Sequence, residues 1–328
     1  MSTLFITTQG AYLRKQGGRF LVTQKEKTLL SMPEAMVSSV MLLGYVQVST
    51  QAVTELLDQG IPLLYLSRSG MFRGILQPGY PKNVERRLAQ YECSVEPGMA
   101  LETARTIVAA KMEGSLATLR KWQRNGWGSL RDPIASIVAC RRDLSSCDTL
   151  VGVRGKEAQA AKLHFAALAT SLPAGFYWPG RNRQPPRDPV NALLSFTYMI
   201  VLGHLVAAIY AAGMDPFVGF LHQLDYGRPS FALDLLEPLR GPWCDHPVML
   251  ALQSETITPA DFETTSRDGC RLSASALPRF VKYLQGHLRP EEETGIRRPI
   301  AALLSAMQQA VQEHRAPDWS GVLEREAA

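Results

Sequence analysis

QPGYPKN, residues 77–83, divides the chain, because the hydrophobic period differs on its two sides. Two prolines and a glycine in seven residues do not continue a helix or a strand, so the stretch reads as a linker. Before it, apolar residues come in short runs that Gly or Pro often interrupts, as in LFITTQG and MLLGYVQV. That pattern predicts strands at 4–7, 11–15, 19–23, 37–42, 46–49, 63–67 and 72–76, and one helix at 50–58 that stops at Gly60. Seven short strands with one helix point to a small sandwich or curled sheet rather than an alternating parallel sheet.

After the linker the period turns helical. Asp132-Pro133, Asp188-Pro189 and Asp215-Pro216 each read as an N-cap with proline at the first helical position. Thr258-Pro259-Ala260-Asp261 is a similar start with a carboxylate in the capping-box position. Gly213 reads as a C-terminal stop, and the last helix is expected at 299–314. The expected fold class is α+β: a small sandwich-like β domain at 1–80, then a larger all-α-helical domain at 81–328.

The charge, +5 from 35 basic and 30 acidic residues, is modest, so any affinity for a polyanion must come from local clusters. Five widely spaced cysteines lack zinc-knuckle spacing and imply reduced thiols, and the N-terminus meets charge too early for a secretory signal. Residues 192–214 carry no Asp, Glu, Lys or Arg, but Ser195, Thr197, His204 and two glycines favour a buried central helix over a membrane span. A cytoplasmic protein with no membrane association is expected.

The residues that could do chemistry lie between Glu157 and Glu237. Glu157 shares a helix side with Ala160, Ala161, His164 and Leu168, so its carboxylate is expected to point inward, toward a metal or toward a structural partner such as Arg154. His222 ends the apolar run GFL and reads either as a ligand or as a satisfied core histidine. Asp234 and Glu237, three apart, would share one helix face, where the bland alternative is an ion pair with Arg240. Hard oxygens plus one imidazole suit a divalent metal held against phosphate. The proline-stiffened loop 180–187 carries Arg181, Arg183 and Arg187, which suit phosphate contacts or form a solvated basic loop. Asp188 reads as a helix cap, and Asn191 as a brace for that cap or for the site. Arg86, Arg87, Lys111, Arg120, Lys121 and Arg124, with Trp122 and Trp127 nearby, read as a DNA track or as a solvated face over core tryptophans.

The ordered strings RGKEAQAA, GRNRQPPRDPVNALLSF, GFLH and ALDLLEPLR resemble the CRISPR-associated adaptation endonuclease/integrase family, the Cas1-type spacer-acquisition proteins. The likeness extends to the opening LFITTQGAYL, to QPGYPKN and to the helical C-terminus. It implies a β domain followed by a helical catalytic domain, and a metal-dependent DNA endonuclease and integrase that inserts spacers into a CRISPR array by 3′-hydroxyl attack. By motif match, Glu157, His222 and Glu237 would be the catalytic ligands of Mg²⁺ or Mn²⁺, with Asp234 beside Glu237 as a ligand or a brace. His164, where an aromatic is common, would be an accessory group. The implied partners are DNA (spacer precursor and repeat), a second copy of the chain, and a small ferredoxin-like second adaptation protein. A branched-DNA repair nuclease and a non-catalytic DNA-binding scaffold are the competing functions.

Overall fold

The computed structural model describes residues 2–79, 83–182, 185–265, 269–289, 292 and 294–319; residues 80–82 of the expected linker and Arg183 lie outside them. In chain order the N-terminal part holds β1 (Ser2–Ile6), β2 (Tyr12–Gln16), β3 (Arg19–Gln24), β4 (Lys27–Pro33), β5 (Val37–Leu43), β6 (Gln47–Val48), α1 (Thr50–Asp58), β7 (Leu63–Leu66) and β8 (Phe72–Leu76). They form two four-stranded sheets, ordered β1-β5-β7-β8 and β4-β3-β2-β6. The class is α+β, as the sequence predicts.

Two details differ from the sequence reading. β4 is an additional strand, an exposed sheet edge with no buried alternation to reveal it. The sheet β1-β5-β7-β8 is also largely parallel, β5 running parallel to both β1 and β7. Parallel strands are covered on both faces and so read as continuous apolar runs, as in VMLL of β5. Val40, Leu42 and Leu63 face a core shared with Leu13, Phe20 and Leu56 of the other sheet and α1, while Met41, Leu43, Leu64 and Leu66 join the core of the helical part.

The helical part holds α2 (Val84–Val95), α3 (Pro97–Arg124), α4 (Arg131–Asp143), α5 (Leu150–Thr170), α6 (Pro189–Ala211), α7 (Ser230–Leu236) and α8 (His246–Gln253). A β9–β10 hairpin (Phe262–Thr265 and Gly269–Leu272), α9 (Ala276–Leu288) and α10 (Arg297–Glu313) complete it. The hairpin corrects the expectation of an all-helical second part. α6 is the central helix: its most apolar window has mean hydropathy 2.0 and is 72% buried in protein. It packs directly on the parallel sheet, and a Cβ on Gly203 would come within 2.9 Å of Leu64.

Asp188 caps α6 as expected, its carboxylate accepting from the Asn191 N–H at 2.8 Å, and α6 gives way at Gly213, whose φ is +74°. The other two Asp-Pro sites do not cap helices. Leu130 precedes α4 in the N-cap position, and Asp215 instead accepts from the Phe217 N–H inside a turn. Thr258 and Asp261 form the expected reciprocal capping box, on a single 3₁₀ turn. All five cysteines are free.

Candidate active site

Glu157, His222 and Glu237 come from three different elements and line one open basin of about 430 Å³, together with Arg154, Gln223 and Arg228. Glu157 projects from α5 with a quarter of its side chain exposed. His222 lies on the irregular segment between α6 and α7. Glu237, 3% exposed, opens a 3₁₀ turn (Glu237–Leu239) that succeeds α7 and passes into a π-helical turn (Arg240–Asp245). Prolines explain that sequence of turns. In a regular α-helix the Pro242 ring would clash with the carbonyl of Pro238, and the wider π turn avoids the clash.

Glycines bring these elements close together. A Cβ on Gly241 would lie 2.7 Å from the Gly114 carbonyl of α3, and one on Gly114 only 2.5 Å from the Pro238 carbonyl. This backbone approach places Lys111, one turn before Gly114, against Glu237: its Nζ is 2.6 Å from Glu237 Oε2 and also meets Glu157 Oε1. Glu237 Oε1 pairs with Arg240 at 2.9 Å and stands 3.8 Å from His222 Nε2. Burial pushes the Glu237 carboxyl up, but the charges of Arg240, Lys111 and His222 outweigh it and hold the pKa at about 2. Oε2 is buried, and Lys111 is its charged partner.

Asp234 is fully buried, and its neighbours occupy both oxygens. Oδ2 accepts from the Phe220 and Leu221 N–H groups at 2.6 and 3.1 Å, and Oδ1 from the His222 N–H at 3.0 Å and from His222 Nδ1 at 2.6 Å. A Cβ on Gly219 would sit 2.7 Å from Asp234 Oδ2, so this clasp depends on glycine. The carboxylate orients the imidazole and leaves Nε2 toward Glu237, the usual relation of an outer carboxylate to a ligating histidine. The geometry puts Glu237, the position the motif match prefers, in the basin, and Asp234 behind it.

His164 lies elsewhere. Its Nδ1 is 2.6 Å from Ser115 Oγ and its Nε2 is 2.9 Å from Asp245 Oδ2, so both ring nitrogens are engaged away from the basin. Tyr198 O–H donates to the other oxygen of Asp245 at 2.6 Å, and Arg240 lies over the Tyr198 ring at 5.0 Å. Rather than lending a ligand, His164 belongs to a buried network that backs Arg240. A narrow cavity of about 30 Å³ separates that network from Lys111 and Glu237, room for about one water.

The basic loop is only partly presented to solvent. Arg181 donates to Asn191 Oδ1 at 2.7 Å and to Ser195 Oγ at 3.0 Å, and lies over Tyr198, so its guanidinium braces α6. Asn191 and Asp188 complete that brace. Arg187 is exposed, and Arg183 lies outside the described residues. Trp122 is a core residue donating to His246 Nδ1 at 3.1 Å, whereas Arg120, Lys121 and Arg124 are exposed.

Lys111 is the site residue that the sequence reading passed over as one of several basic positions. Its signal is legible in retrospect, because it heads the small-residue face Gly114, Ser115 and Thr118 of α3, where close approach buries whatever stands beside it. Arg154 is not the partner of Glu157 but donates to the Leu221 carbonyl at 2.5 and 3.1 Å, fixing the approach to His222. Two carboxylates and one imidazole nitrogen thus share a basin with arginines beside them, the donor chemistry that suits Mg²⁺ or Mn²⁺ near phosphate. Among the described residues no three His, Cys, Asp or Glu groups are drawn together as a ready-made metal cluster; beside the basin the Lys111 ammonium bridges the two carboxylates.

Residues 4–286 match the model of the family described as CRISPR associated protein Cas1. A CRISPR-associated endonuclease Cas1 of Thermus thermophilus is 33% identical over 290 residues, covering 88% of this chain and 85% of its own length. A solved Cas1 protein from Thermotoga maritima superposes with TM-score 0.85 at 19% identity, covering 97% of this chain and 99% of that one. The fold is also shared, at 18% identity and TM-score 0.84, with a casposase bound to its integration product (96% of this chain, 92% of that one). A Cas6-RT-Cas1–Cas2 complex shares it at 21% identity and TM-score 0.81, over 96% of this chain and 35% of that one. With the family model spanning most of its length and a relative one-third identical across nearly all of it, the chain belongs to the Cas1 family of CRISPR-associated proteins.

Proposed function

We propose that this chain is a metal-dependent DNA endonuclease and integrase of CRISPR adaptation. One observation carries the reading: Glu157, Glu237 and the outward Nε2 of a clasped His222 share a single open basin with Arg154 and Arg228. A divalent cation held by Glu157, His222 and Glu237 would supply Lewis-acid activation of a target phosphate. The protein's own part is orientation and charge. Asp234 fixes the imidazole, Arg240 keeps Glu237 ionised, and the basin arginines draw the phosphodiester into place. Attack by a strand's 3′-hydroxyl oxygen forms one phosphodiester bond as another breaks, and the displaced 3′-oxygen takes up a proton. Because bonds are exchanged, the joining needs no covalent enzyme intermediate. Water in place of the hydroxyl gives nicking. A casposase of the same fold is bound to its integration product, which supports the joining reaction for this architecture, and a Cas6-RT-Cas1–Cas2 complex of the same fold supports Cas2, a second adaptation protein, as partner. Homodimerisation is part of the same proposal.

The test is strand transfer of a labelled duplex into a repeat-bearing supercoiled plasmid with Mn²⁺, with and without the partner protein. Glu157→Gln, His222→Ala and Glu237→Gln should each lose about 100-fold or more in joining while retaining DNA binding, on the scale of removing one charge-stabilising group. Variants that join as well as the parent would refute the mechanism.

A further inference from the structure

We infer that Lys111 is the resident counter-cation of the carboxylate pair and competes directly with a divalent metal for it. The inference deepens the proposed function and rests on that reading of the basin. Among the described residues Lys111 is the one that meets both carboxylates: its ammonium reaches Glu157 Oε1 and stands 2.6 Å from Glu237 Oε2. Its side chain is only 14% exposed and Glu237 only 3%, so water screens this arrangement poorly. Glu157 comes from α5 and Glu237 from the turn after α7, and Lys111 of α3 lies against both, held close to Glu237 by the Gly114–Gly241 approach. Without a cation between them they would repel, and Arg240 engages only the Oε1 edge of Glu237.

The ammonium holds the pair from one side chain. Lys111 Nζ is the charged group nearest Glu237 Oε2, at 2.6 Å, and it balances the charge of that oxygen from a single flexible side chain. A divalent ion held by Glu157, His222 and Glu237 would bring two positive charges close to the Lys111 ammonium, so metal entry requires the flexible lysine to move aside. Lysine suits that role better than arginine. It carries a compact point charge on a mobile stem and offers no planar fork to lock onto a carboxylate.

The experiment titrates the metal-free full-length chain with Mn²⁺, following the spectrum of the free hexaaquo ion, for wild type, Lys111→Met, Lys111→Arg and Glu157→Gln. Thermal melts in EDTA and in Mn²⁺ accompany each titration. Lys111→Met should bind Mn²⁺ about tenfold or more tightly than wild type, because the competitor is gone. It should also melt lower than wild type in EDTA, and Mn²⁺ should raise its melting temperature more. Lys111→Arg should show no such gain. A folded Lys111→Met that binds Mn²⁺ equally or more weakly overturns the competition while leaving the metal site standing. Absence of binding in both wild type and Lys111→Met, or binding unaffected by Glu157→Gln, overturns the metal reading and the competition with it.

Discussion

Replacing Asp234 by Asn changes one atom, and the structure allows its cost to be followed. The carboxylate accepts four hydrogen bonds, two at each oxygen. The amide keeps one oxygen, and its NH₂ must face one of the two pairs of donors. Facing Phe220 and Leu221 would leave two buried N–H groups without an acceptor. Facing His222 is cheaper: one backbone N–H is orphaned, and the imidazole can shift its proton so that Nδ1 accepts. One buried donor left unpaired, plus the lost charge on the remaining bonds, amounts to about 3 kcal/mol. For a chain of this size that lowers Tm by roughly 4 °C. The tautomer shift also puts the proton on Nε2, the nitrogen facing Glu237, so Mn²⁺ affinity should fall about 10- to 100-fold. Differential scanning fluorimetry and Mn²⁺ titration, run beside Glu237→Gln, measure both effects. An Asp234→Asn protein with wild-type melting and wild-type metal affinity would refute the clasp. One that melts normally yet loses metal as completely as Glu237→Gln would mean that Asp234 is itself a ligand.

Gly241→Ala places a methyl 2.7 Å from the Gly114 carbonyl, so α3 and the π turn must separate; urea unfolding should show a loss of about 1–3 kcal/mol, and strand transfer should fall as the basin is distorted. A loss below about 0.5 kcal/mol would show that the backbones are free to part. Acid should weaken the fold through two histidines. Burial, with Arg297 nearby, holds His204 at about 4, and burial, with Lys121 and His287, holds His246 at about 4. The unfolded chain takes up these protons near pH 6.5 and the folded protein does not, so stability that is full above about 6.5 declines as pH falls toward about 4, by up to about 3 kcal/mol per histidine. Denaturant midpoints measured from pH 7.5 to 4.5 should fall, and His204→Met should flatten the slope; an unchanged slope would remove His204 from this account.

The fold class was legible from local signals, because period, caps and linkers act over a few residues. The Gly/Pro punctuation before residue 77 and the Asp188 cap with Gly213 stop each found their structural counterpart. β4 was not legible, since an exposed edge strand has no buried face to impose alternation. The parallel pairing in the first sheet was also hidden, because an apolar run such as VMLL does not say which elements will cover its two faces.

For the site, the order of motifs singled out Glu157, His222, Asp234 and Glu237 because chemistry needs particular side-chain types. The motif match preferred Glu237 over Asp234, but the physical reason for their different places came from tertiary structure. Asp234 and Glu237 are equivalent by helical spacing, and only the fold of the 219–222 backbone around Asp234 gives it four donors and turns it from the basin. Likewise His164 and Arg181 carry the right chemistry for ligand and phosphate contact, yet packing commits both to internal networks. Lys111 shows the reverse, an ordinary lysine in sequence that becomes the cation between two carboxylates because two glycines let distant backbones touch. Residue type and local spacing are properties of the chain. Burial, tautomer and pairing depend on contacts between segments far apart in sequence, and only the folded structure supplies those.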